Sequence, residues 1–82
     1  RQINPVLPNA DSLRRGADLY TANCDWDEDS RVFASLGERL PRTRDDELYL
    51  IVQEGWRELP PCGTTDEDTW HLVNYVRTFE PR

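Results

Sequence analysis

The amino-acid sequence predicts a small all-α domain. Apolar residues recur at helical spacing in three separate stretches: Leu13, Ala17 and Tyr20; Leu48, Ile51 and Val52; Leu72, Tyr75, Val76 and Phe79. Each stretch follows residues suited to capping a helix, namely Asn9 or Asp11, Thr43, and Thr65. Helix-breaking residues separate them: Gly37 and Pro41, then Gly55, Pro60, Pro61 and Gly63.

Taken in order, residues 1–10 carry Pro5 and Pro8 and no periodic pattern, so they read as an extended N-terminal arm, leaving 11–82 as one domain. The first helix is expected over 12–23. Leu13, Ala17, Tyr20 and Cys24 face one way, with Gly16 and Leu19 beside them. Residues 25–40 read as irregular, acidic at first, with Val32, Phe33 and Leu36 enough for a single helical turn. Thr43 is expected to cap a second helix over 44–54, whose first turn places Asp45, Asp46 and Glu47 at the positive end of the helix dipole. Gly55 is placed to end it. A loop follows to Thr64, and Thr65 with Asp68 resembles a capping box opening a last helix that stops before Pro81.

Length and charge bound what such a chain can do. With 82 residues, a core is marginal without an added cross-link or partner. The formal net charge is −6, all basic residues are Arg, and no basic stripe is present. That argues against a nucleic-acid or anionic-membrane ligand. No apolar run is long enough to span a bilayer, so no membrane insertion is expected in this segment. A chain that begins at Arg1 and shows no signal peptide is expected to be a processed or excised domain. Cys24 and Cys62 would be free thiols in a reducing cell and would pair in an exported domain.

Gly16, Tyr20 and Cys24 stand four residues apart and form one slanted stripe. A Gly opening such a stripe implies a second backbone close by. This Gly-x-x-x-Tyr-x-x-x-Cys pattern resembles the opening of class I cytochrome c domains. The likeness continues through Asp45 to Gly55, similar to the family's middle helix, and through Trp56-Arg57-Glu58-Leu59-Pro60-Pro61, similar to the loop carrying its axial Met. It extends to the last helix, where Leu72 and Tyr75 would cross Gly16 and Tyr20. The family's haem chemistry is absent. Asp27 stands where the second Cys of C-x-x-C-H belongs, Glu28 stands at the axial His, Leu59 at the axial Met, and the chain has no Met at all. The resemblance therefore implies a three-helix cytochrome c-like domain that has lost haem c and expects no cofactor. Trp26, Phe33, Trp56, Leu59 and Trp70 are available to fill the vacated centre, and Cys24 and Cys62, which would flank the haem slot, are expected to form a disulfide in its place.

Other chemistry is thin. Asp25, Asp27 and Asp29 resemble the start of a calcium loop, but Ser30 and Leu36 stand where Gly and Glu are required, so at most a weak divalent site is expected. His71 reads as a surface or rim residue. Cys62 and Ser30 are the conventional nucleophiles worth naming, with nothing to place them beside it. Arg14, Arg15, Arg39, Arg42 and Arg44 read as surface salt-bridge material. The leading expectation is a non-enzymatic, haem-less docking module, with a protein partner in a periplasmic or otherwise extracytoplasmic redox or respiratory assembly. The alternatives are electron transfer with unconventional haem attachment, using Cys24 and His71, and a small-ligand or divalent-metal module.

Overall fold

The computed structural model describes residues 3–79. They are helical throughout their regular structure, with four α-helices: α1 (Ala10–Asn23), α2 (Arg31–Arg39), α3 (Asp45–Glu54) and α4 (Asp66–Val76). The all-α expectation holds, and α2 is the addition, since a single turn was expected there.

Local chemistry accounts for each boundary. Of the two candidate caps for α1, Asn9 is the one used: its Oδ1 accepts from Ser12 N at 2.9 Å, so the helix begins at Ala10 and Asp11 falls in the first turn. Ser30 caps α2 by accepting from Phe33 N at 3.1 Å. The helix forms because Phe33, Leu36 and Leu40 all bury on one side, and that burial outweighs the cost of Gly37. Pro41 does end α2, but it sits at the start of a 3-10 turn (Leu40–Arg42), where its missing N–H removes no hydrogen bond.

The cap of α3 is Arg44, not Thr43. Arg44 N donates to Glu47 Oε1 at 2.8 Å, while the Thr43 hydroxyl turns back to donate to Arg39 O at 2.8 Å. Gly55 closes α3 at φ 87°, and a Cβ there would lie 2.8 Å from Leu59 O, so the position requires glycine on both counts. Thr65 caps α4 as expected, accepting from Asp68 N at 3.2 Å. The reciprocal half of the box does not form, because the Asp68 carboxylate instead takes Arg15 of α1 in a bidentate pair at 3.2 and 3.0 Å. Regular α4 ends at Val76, and a tighter turn carries the chain to Phe79; Pro81 lies outside the described residues.

The helix pair α1 and α4 forms the main contact of the fold. At Gly16, an added Cβ would meet His71 O at 2.5 Å and Tyr75 Cβ at 2.6 Å. Tyr20, one turn on, packs its ring 5.6 Å from that of Tyr75, and Leu72 is fully buried. Leu36, Leu48, Val52 and Val76 complete the centre.

Residues 3–9 lie along this pair rather than standing free. Asn4 Nδ2 donates to Asn74 Oδ1 at 2.7 Å, and Asn74 Nδ2 donates to Val6 O at 3.1 Å and to Ser12 Oγ at 2.9 Å. Ser12 Oγ lies 2.8 Å from His71 Nδ1. Among the described residues no buried side-chain polar atom lacks a partner. Ser12 is 3% exposed, so Ser12→Ala strands the Asn74 amide and the imidazole together. A loss of about 1–3 kcal/mol is expected in urea unfolding, and an unchanged midpoint would show the network to be slack.

Candidate functional site

The sequence-predicted centre is built from two segments, one leaving α1 and one entering α4. Cys24 sits at the C-terminus of α1, its N–H bonded to Tyr20 O at 3.0 Å. Cys62 is fixed by its own N–H to Val52 O at 2.9 Å. The two sulfurs are joined as a disulfide across 38 positions of sequence. Trp26 adds a second tie, its indole N–H donating to Pro60 O at 2.7 Å. Trp26 is buried edge-on against Tyr20, centroids 5.8 Å apart, and Leu59 is buried as well. The Tyr20 hydroxyl donates to Glu28 Oε2 at 2.7 Å. Phe79 joins this cluster, 5.3 Å from Tyr20 and 5.4 Å from Phe33.

Of the expected filling residues, Trp26, Phe33, Leu59 and Trp70 are buried. Trp70 stacks instead on Tyr49, 4.4 Å away. The Tyr49 hydroxyl donates to Asp66, and that bond, with some burial, raises its pKa above the usual phenol value. Trp56 is the exception, half-buried at the surface.

The acidic loop does not converge. Asp27 Oδ1 accepts from Asp29 N at 3.0 Å, an Asx turn that spends this carboxylate on the backbone. Among the described residues no three His, Cys, Asp or Glu side chains gather at metal-binding spacing. Ser30 is a helix cap and Cys62 is disulfide-bonded, so neither nucleophile named from sequence stands beside His71. The serine that does is Ser12, which the sequence reading passed over. It is buried and already accepts from Asn74, and Glu67 lies 4.0 Å from the far imidazole nitrogen, so this is a satisfied internal network.

A second feature lies on the opposite chemistry. Arg14, Arg15, Arg44 and Arg77 each pair with a carboxylate, Arg77 bridging to Asp45. Arg39 and Arg42, expected to do the same, do not. Among the described residues Arg31, Arg39, Arg42 and Arg57 form no ion pair. Two of them cover Trp56: the Arg39 guanidinium carbon lies 5.3 Å from the indole centroid and that of Arg57 4.6 Å. Trp56 is held by a tight turn, its N–H donating to Leu59 O at 2.9 Å and its carbonyl oxygen accepting from Leu59 N at 3.0 Å. Beside it Leu50 is 53% exposed on α3. The Trp56–Leu59 pairing and the cationic cover were not legible from spacing, because both depend on a turn that brings residues 39 and 57 together.

Comparison with family models, curated proteins and solved structures finds no match for this chain. No helix among the described residues is long and apolar enough to cross a membrane.

Proposed function

We propose that this domain is a non-catalytic docking module with a cytochrome c-like scaffold and no haem, held by a protein partner in an extracytoplasmic redox or respiratory assembly. The observation that carries the reading is the Cys24–Cys62 bond. In the resemblance, those residues flank the haem slot, so a bond between them occupies the place of the cofactor with a cross-link.

The donor set does not fit haem c. Cys24 has no thiol left to attach a vinyl group, Leu59 offers no ligand, and Glu28 receives the Tyr20 hydroxyl. Trp26 and Leu59, both buried, fill the space between the two segments. A structural disulfide also supports an oxidising compartment. The retained close approach at Gly16 supports a scaffold kept for shape while its chemistry was lost.

The test is intact mass under non-reducing conditions, on protein made in a host able to attach c-type haem. A chain lighter than the reduced form by two hydrogens is expected. A mass raised by one haem would overturn the proposal in favour of electron transfer.

A further inference from the structure

Among the described residues, the four arginines of the arginine–tryptophan face make no ion pair within the fold. The face runs from α2 across the 3-10 turn to the 56–59 turn. Four guanidinium groups lie along it without a carboxylate partner, on a chain whose net charge is −6. In such a chain carboxylates are in excess, and the other four described arginines each found one. Leaving four cations unpaired, two of them over one indole, keeps them available to an outside anion.

Arg57 adds an independent sign. At φ 55° it is the only non-glycine residue with positive φ among the described residues. That region disfavours side chains and would suit Gly or Asn. A strained arginine persists where its side chain is wanted, and here the side chain lies over Trp56. Apolar surface completes the patch. Leu50 is exposed, Ile51 and Trp56 are half-buried, and these three line one groove with Arg39, Arg42, Thr43 and Glu47, whose carboxylate is taken by Arg44. A second groove is lined by Arg31, Val32 and Arg57, with one carboxylate, Glu58, on its wall. Trp and Arg are the residues most enriched where interfaces draw their energy.

We infer that this face binds a short acidic segment of a partner protein, with carboxylates on Arg31, Arg39, Arg42 and Arg57 and an apolar side chain against Trp56 and Leu50. The inference rests on the docking reading and names its partner's chemistry. A polyanion of high charge density is the poorer occupant, because the net negative charge of the domain repels it at long range. A lone phosphate would leave the apolar floor uncovered. A peptide alternating acids with a leucine satisfies both chemistries, and the exposed arginines keep such a contact salt-sensitive.

The test is fluorescence anisotropy with a labelled peptide of Glu-Glu-Leu repeats, on the oxidised domain, with a Lys-Lys-Leu peptide as the reversed-charge probe. Binding of the acidic peptide alone is expected, weakening as salt is raised. Arg39→Ala with Arg57→Gly should lower the affinity by about fivefold, a modest exposed-pair contribution from each arginine. Arg57→Gly relieves a disfavoured backbone angle, so its melting temperature should not fall, which separates lost binding from lost folding. Equal binding of both peptides, an unchanged affinity in the double variant, or binding to phosphatidylserine vesicles in preference to the acidic peptide would overturn the inference. A haem found by mass spectrometry would leave this titration untouched, so the two readings fail separately.

Discussion

Gly16→Ala is expected to destabilise the domain by about 1–2 kcal/mol, although Ala is the better helix former. At an open helical site the exchange would gain about 1 kcal/mol. Here the new methyl carbon would lie 2.5 Å from His71 O and 2.6 Å from Tyr75 Cβ. Neither atom can swing aside, since one is backbone and the other is fixed to it. Helix α4 must retreat along its contact with α1, opening the packing of Tyr20 on Tyr75. Overpacking of this kind costs about 1–3 kcal/mol and sometimes more, which outweighs the propensity gain. For a domain of this size the net loss corresponds to a fall in melting temperature of about 5–15 °C. A melting temperature that stays level or rises would mean the two helices do not cross at Gly16 in solution.

Removing the disulfide should be the larger loss. For a bond spanning 38 positions, the chain-entropy model gives about 4 kcal/mol. A small domain has only about 5–15 kcal/mol in total. The measurement is urea unfolding with and without reductant, repeated on the Cys24→Ala, Cys62→Ala double variant. Alanine is the better choice because Cys62 is buried and serine would carry a hydroxyl into the core. The midpoint should fall sharply in both cases. The denaturant slope should steepen, because an uncrosslinked unfolded chain exposes more surface. A midpoint indifferent to reductant would show that packing around Trp26 and Leu59 alone holds the centre.

Much of the fold was legible because it is written in local chemistry. The caps Asn9 and Thr65, the closing Gly55 and the stripe from Gly16 to Cys24 each act within a turn or two of themselves. What escaped depends on partners distant in sequence. Helix α2 was hidden by Gly37 and Pro41, since nothing local announces that Phe33, Leu36 and Leu40 will be buried together. Thr43 was the more conventional cap than Arg44, but its hydroxyl found Arg39 O first. Asn74 lies 70 positions from Asn4, and no spacing rule links them. The pairing of Cys24 with Cys62 was expected from an exported setting and, in place of haem, from the family resemblance. Composition alone left free thiols open for a reducing cell. Of the site now proposed for a partner, the sequence showed the arginines and the tryptophan but not that four of those arginines would be left without acids.

The bond between Cys24 and Cys62 also changes how the chain reaches its fold. Gly16 and Tyr75 must meet across a separation of most of the domain. Gly16 stands eight residues before Cys24, and Tyr75 thirteen after Cys62. Once the sulfurs are joined, the path between the two helices runs through the bridge and is about a third as long. Loop closure then costs less by about 1 kcal/mol. The contact that defines the architecture becomes nearly local, and topology of that kind folds quickly. Oxidation thus shortens the search that brings the first and last helices together.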